Sequence, residues 1–152
     1  MKIETLLEMK GRDVVTVHPT AKLSAVVRRM KLGHTGCVVV SEDGTDVQGI
    51  IAVRDISYLL AEHDGANFAM DRPASEIMTR SVKTCTPADT LKSVMQNMTQ
   101  WHILNTPVLK EGILCGIVNI DDVVKYAVEE MELESEILHE DVVRLQTLKS
   151  LR

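Results

Sequence analysis

Aromatic side chains make up only 3% of this 152-residue chain: one Trp, two Tyr and one Phe. Basic charge is also short, with 17 Lys and Arg against 22 Asp and Glu, a formal net charge of -5. A surface this poor in stacking faces and cations is unsuited to nucleic acid. No apolar run approaches the roughly 18 residues of a membrane span. The opening MKIETLLEMKGRD carries acids where a secretion signal has an apolar core, so export is not expected. The three cysteines, Cys37, Cys85 and Cys115, form no CxxC pair and are odd in number. Each lies in an apolar, strand-like run, which predicts free buried thiols in a reducing cytoplasm rather than disulfides or a metal site. Burial also argues against a thiol redox sensor, which needs exposure and a cationic neighbour. Catalytic signatures are absent too: no GxSxG, HExxH, Walker loop or GxGxxG. His18, His34, His63, His102 and His139 are scattered without metal-ligand spacing. The chain does not read as an enzyme.

What is present is a repeat. Residues 14–30 read VVTVHPTAKLSAVVRRM and residues 82–98 read VKTCTPADTLKSVMQNM. At an offset of 68, Val14/Val82, Thr16/Thr84, Pro19/Pro87, Leu23/Leu91, Val26/Val94 and Met30/Met98 recur in register, and His34/His102 keep that offset. Further on, GIIAVRD at 49–55 matches GIVNIDD at 116–122, now at an offset of 67. The chain is a duplication.

Each unit reads as strand, helix, strand, strand, helix. A short β-branched run at 14–17 closes at Pro19, which cannot donate to a ladder. A helix follows with Leu23, Val26, Val27 and Met30 on one face, and its twin carries Leu91, Val94, Met95 and Met98. Residues 37–40 form a continuous apolar run and predict a buried strand. SEDG at 41–44 is a turn, and 48–53 the return strand. The second unit places strands at 106–110 and 114–120 around Glu111 and Gly112. The break HDGA at 63–66 and a polar linker separate the units. SEIM at 75–78 introduces the second repeat, and Ile3, Leu6 and Leu7 play the equivalent part for the first. These boundaries predict a first unit over 1–66, a linker over 67–74, a second unit over 75–128 and a helical extension over 129–152. One unit alone has too small a core, so the two are expected to pack together.

From Asp122 to Leu151 neither proline nor glycine interrupts the last helix. Val124, Met131, Leu138 and Leu145 recur every seven, with Val128, Ser135, Val142 and Lys149 between them. The helix either lies across its own domain or pairs two chains.

The repeated strand ending in Gly-apolar-apolar-x-x-x-Asp has two readings. As a ligand shelf, Gly49 and Gly116 allow close backbone approach. Asp55 and Asp122 accept from a vicinal diol, and helix-start amides receive phosphate. Alternatively, both aspartates are helix caps.

The order TVHP, helix, CVVV, GIIAVRD, repeated as TCTP, helix, TPVL, GIVNIDD, resembles a tandem pair of CBS domains (the cystathionine-β-synthase domain) over about residues 6–128. The resemblance implies an α+β fold of two β-α-β-β-α units packed as a pseudo-two-fold pair, with a long C-terminal helix. It implies a non-enzymatic regulatory module that binds an adenine compound (AMP, ADP, ATP, NAD or S-adenosylmethionine) and acts as a homodimer on a protein target not named by the sequence. Carried over residue by residue, one cleft takes Thr84, the Asp89 backbone and Ile103 from the second repeat and Ile50, Ala52, Arg54 and Asp55 from the first. Asp55 holds the ribose hydroxyls and Arg54 the phosphates. The other takes Thr16, Ala21 and the His34 backbone, facing Ile117, Asn119, Asp121 and Asp122. Ala52 and Asn119 stand where the family usually has Ser or Thr. Leu104-Asn105 replaces its frequent arginine-histidine pair. Asp121 puts a second carboxylate where Arg54 has a cation. The resemblance therefore implies asymmetry: a phosphorylated ligand beside Arg54 and Asp55, and an empty or differently filled second cleft. The opposing reading is an interaction protein with degenerate clefts, assembled through its last helix.

Overall fold

The computed structural model describes residues 1–62 and 69–151. The break expected at 63–66 and the start of the linker at 67 and 68 lie outside the described residues. Helix α1 (Ile3–Lys10) precedes β1 (Thr16–Val17), α2 (Leu23–Leu32), β2 (Cys37–Val40), β3 (Gly49–Ala52) and α3 (Val53–Glu62). The second half holds α4 (Ala74–Ile77), α5 (Leu91–Trp101), β4 (Asn105–Lys110), β5 (Ile113–Asn119) and α6 (Ile120–Ser150).

β2 pairs in parallel with β1 and antiparallel with β3. Both faces of β2 are covered, as its unbroken apolar run requires. β4 and β5 pair antiparallel. The strand expected before α5 contracts to one parallel bridge at Cys85. Its N–H donates to the Pro107 carbonyl at 3.0 Å and its carbonyl accepts from Leu109 N–H at 2.8 Å, the counterpart of the β1–β2 pairing. Glu111 and Gly112 both have positive φ, 52° and 80°, the backbone of a two-residue hairpin turn. The architecture is the expected α+β duplication.

On α2, Leu23, Val26 and Met30 are buried while Val27 is exposed. On α5, Leu91, Val94 and Met98 are buried and Met95 is exposed. The sequence pattern places four apolar residues on each inner face. Three are used, because Val27 and Met95 fall at the edge of the stripe.

The recurrent histidines have a backbone explanation. His34 and His102 both adopt left-handed φ, 49° and 53°, just beyond α2 and α5. His102 is the C-cap of α5, with its N–H donating to the Met98 carbonyl. A Cβ is disfavoured in this region and glycine is not. His102→Gly should therefore raise stability by about 0.5–1 kcal/mol, read as a higher denaturant midpoint at unchanged slope. An unchanged or lower midpoint would contradict the cap.

The introducing helices exchange cores. Ile3, Leu6 and Leu7 of α1 are fully buried with Leu91, Val94, Met98, Val108 and Val118 of the second repeat. Ala74 of α4 and the adjoining Met78 pack with Leu23, Val26, Val38 and Ile51 of the first. The anchoring bonds match one to one. Ile3 N–H donates to the Asp89 carbonyl and Glu4 N–H to Pro87, both at 2.9 Å. Ala74 N–H donates to the Ala21 carbonyl at 2.7 Å and Ser75 N–H to Pro19 at 2.9 Å. Each repeat is thus completed by the helix that covalently introduces the other.

Helix α6 starts at Ile120, two residues before the expected Asp122. Asn119 is the reason: its side chain accepts from Asp122 N–H at 3.1 Å while Asp122 accepts from Asn119 N–H at 3.2 Å, a capping box. Val123 and Tyr126 are buried against the second repeat. From residue 131 to 151 every residue is exposed. The helix does not lie across its own domain.

Candidate functional site

A cleft of about 560 Å³ runs between the repeats. The two halves line it with matched residues: Asp13 and Ser81, Val15 and Lys83, Thr35 and Ile103, Ile50 and Ile117, Ala52 and Asn119, Arg54 and Asp121. These pairs keep the offsets of 68 and 67, so the cleft carries the duplication's pseudo-symmetry. The two expected clefts open into this single one.

Of the first expected set, Ile50, Ala52, Arg54, Asp55 and Ile103 line the cleft. Thr84 does not; it lines an adjoining hollow of about 90 Å³ that shares Lys83 and Ile103. Asp89 reaches neither. Its carbonyl is taken by Ile3, its N–H donates to Thr86, and its carboxylate accepts from Thr86 N–H at 2.7 Å. Of the second set, His34, Ile117, Asn119 and Asp121 line the cleft. Thr16 and Ala21 line a separate groove with Arg28 and Arg29, and the Ala21 carbonyl is occupied by α4. The exchange of α1 and α4 explains both displacements. Lys10, Asp13, Thr35 and Lys83 were missed. Shifting Ile103 back by 68 residues would have found Thr35; Lys10 has no sequence counterpart.

Neither aspartate is the expected N-cap: α3 begins at Val53 and α6 at Ile120, and each aspartate stands third in its helix and reaches back to the backbone N–H before it. Asp55 Oδ2 accepts from Ala52 N–H at 2.8 Å, as Asp122 does from Asn119. Beyond that they diverge. Asp55 faces the cleft. Asp122 is ion-paired to Lys10, whose Nζ also donates to the Ile117 carbonyl at 2.7 Å. The aspartate matched to Asp55 is thus held by a cation, while Asp121, the carboxylate expected to repel phosphate, lines the cleft. Nor do the matched glycines admit a ligand. A Cβ on Gly49 would lie 2.5 Å from Met78 Sδ, and one on Gly116 2.7 Å from Leu7 Cδ2. Their close approach serves the exchanged helices.

Charge is distributed unevenly. Arg54 donates to the His102 carbonyl at 3.2 Å, and Lys83 stands 4.3 Å above the Trp101 ring centroid. Both cations gather at the C-terminal end of α5 beside Ile103. At the matched positions, Arg54 is replaced by Asp121 and Lys83 by Val15, and Asp13 replaces Ser81. Cys37 also lines the cleft. Burial, with Asp55 nearby, pushes its thiol up to about 12, and burial does the same for Cys85. Cys115 is half-buried rather than buried, and burial raises its thiol as well. All three are thus shifted toward the thiol form, away from the reactive thiolate. No group of three or more His, Cys, Asp or Glu among the described residues could hold a metal, and no described helix is long and apolar enough to cross a membrane.

Two duplicated α+β units, each completed by the other's introducing helix, enclose a shared cleft and define a tandem-repeat architecture. The CBS-domain pattern matches residues 8–62 and 74–129, and the chain belongs to the CBS-domain family. A CBS-domain protein of Agrobacterium tumefaciens, ATU1752, is 34% identical with a TM-score of 0.78, over 84% of this chain and 99% of that one. The CBS domain-containing protein YhcV of Bacillus subtilis is 30% identical over 81% of this chain and 83% of its own length. The CBS pair of MJ0100, solved with 5'-methylthioadenosine and S-adenosyl-L-methionine, shares the fold at 21% identity and a TM-score of 0.73, over 86% of this chain and 98% of that one. The chain spans less than half the length of two other curated relatives that it matches.

Proposed function

We propose that the chain is a non-enzymatic regulatory module of the cytoplasm that binds an adenine nucleotide and works as a homodimer, sensing energy or redox state for a protein target. The observation that carries it is that Arg54, Asp55, Ile50, Ala52 and Ile103 line one cleft, with Arg54 bonded to the His102 carbonyl beside Ile103. The apolar side chains sandwich a flat base, Asp55 accepts from ribose hydroxyls, and Arg54 with Lys83 attracts phosphate. Thr84 extends this set through the adjoining hollow. The adenosine compounds held by MJ0100 support this ligand class. At the repeat-matched positions Asp13 and Asp121 disfavour phosphate, so we assign that half of the cleft no nucleotide or an uncharged ligand. Binding that favours one spacing of the repeats shifts their population.

Scanning fluorimetry with AMP, ADP, ATP, NAD and S-adenosylmethionine tests this. A ligand at 100 times its dissociation constant should raise the transition by a few degrees. Asp55→Asn keeps an acceptor for Ala52 N–H, and Arg54→Gln removes the cation. Both should abolish the shift, whereas Asp121→Asn should not. No shift with any ligand would move the assignment to a module that only assembles, a reading favoured by the uncovered apolar side chains of α6.

A further inference from the structure

Helix α6 outlasts the family fold. The CBS-domain match ends at residue 129, and residues 131–151 continue as helix with every side chain exposed. Met131, Leu138, Val142 and Leu145 are 68%, 65%, 50% and 59% exposed. Helices in proteins owe most of their stability to packing an apolar face rather than to propensity, and four large apolar side chains on one stripe leave this one without that packing in its own chain. The stripe follows a heptad: Met131, Leu138 and Leu145 occupy d positions, and Ser135, Val142 and Lys149 occupy a positions.

Two features select the partner and its direction. Between residues 129 and 141 every charged side chain apart from His139 is acidic. From 142 to 151 both charged side chains, Arg144 and Lys149, are basic. Parallel pairing of two copies would set acid against acid. It would also stack Ser135 on Ser135 and Lys149 on Lys149, because parallel a positions face a positions. Antiparallel pairing sets each acidic half against a basic half. It also brings a against d, in the register where facing residue numbers add to 280. Leu138 then faces Val142 of the second copy, Leu145 faces Ser135, and Met131 faces Lys149. Each weak position meets a strong one. The Lys149 stem covers Met131 while its ammonium reaches the level of Glu130, Glu132 and Glu134 of the second copy. All of 131–149 is exposed, so this overlap of about 27 Å displaces nothing in either domain.

We infer that α6 joins two copies of this chain as an antiparallel two-helix coiled coil centred between Leu138 and Val142. This deepens the homodimer reading above by naming its face, and it is independent of the nucleotide.

Sedimentation equilibrium of the full chain without nucleotide should give the mass of two chains. Leu138→Asp should give one chain with the thermal transition of the CBS pair retained, since Leu138 touches nothing in its own domain. Ser135→Leu should tighten the dimer at least ten-fold, because it fills two layers. In a Cys115→Ser background, oxidised Ser135→Cys/Leu145→Cys should run as a covalent dimer, and Leu145→Cys alone should not. Cross-linking of Leu145→Cys alone would overturn the antiparallel register. A dimeric Leu138→Asp would overturn the α6 face while leaving the homodimer intact. A wild type of one-chain mass would overturn both, and the fluorimetry result would stand separately.

Discussion

Leu7→Ala should lower stability by about 2–5 kcal/mol, the range for a fully buried leucine whose site collapses only in part. In a domain whose whole stability is about 5–15 kcal/mol, that is a large fraction. Leu7 belongs by sequence to the entrance of the first repeat, yet it is wholly buried in the core of the second. Gly116→Ala should cost about 1–3 kcal/mol, because its Cβ would sit 2.7 Å and 2.9 Å from the two Leu7 methyl carbons. The double variant should cost less than the sum, by about 1–2 kcal/mol. Truncating Leu7 removes the atoms the new Cβ meets, and the Cβ fills part of the hole. The matched pair in the other core should respond differently. A Cβ on Gly49 would also lie 2.8 Å from Met78 Cβ. Met78→Ala keeps that atom, so it relieves Gly49→Ala only partly, and Met78→Gly should be needed for more. Denaturant unfolding of the two cycles measures all of this. Strict additivity at Leu7 and Gly116 would mean that α1 does not pack on the second repeat.

This exchange is where the sequence was least informative. Hydrophobic spacing identifies an amphipathic α1 and a short α4, and nothing local says which of two similar cores each will cover. A subtler sign was available. Gly49 and Gly116 recur in register, and each needs a neighbour that fills the space of its missing side chain. Leu7 and Met78 are those neighbours. The strands and helices were legible because their signals are local: three apolar positions repeated on α2 and α5, the turn at Glu111-Gly112, and the unbroken run of β2. The recurrence of His34 and His102 was legible as a pattern but not in its cause, which is a left-handed backbone rather than ring chemistry. In the site, Ile50, Ala52, Arg54, Asp55 and Ile103 line one cleft. Ala21 and Asp89 do not, because their carbonyls anchor the exchanged helices. Lys10 was invisible: it meets Asp122 across 112 residues of sequence, and periodicity carries no information at that separation.

The contact between Lys10 and Asp122 makes two repeat-equivalent aspartates unequal. Asp55→Ala removes a helix cap and should cost about 1 kcal/mol. Asp122→Ala removes the same kind of cap and leaves the Lys10 ammonium without its counter-ion. The two side chains are only 17% and 19% exposed. Stripping one partner from a fully buried pair costs about 3–5 kcal/mol, and residual solvent at this site reduces that share. The total for Asp122→Ala should be about 2–4 kcal/mol. The pair itself contributes much less than its disruption costs, since both ions were taken from water to form it. Lys10→Met with Asp122→Asn removes both charges, preserves an acceptor for Asn119 N–H and lets the thioether chain follow the path of the lysine stem it replaces. That double variant should lie within about 1 kcal/mol of the wild type. Denaturant midpoints at neutral pH decide the matter. Equal losses for Asp55→Ala and Asp122→Ala would reduce Lys10 to a surface cation. The expected inequality would show that one of the two repeat-matched aspartates is committed to holding α1 in place, while Asp55 still faces the cleft.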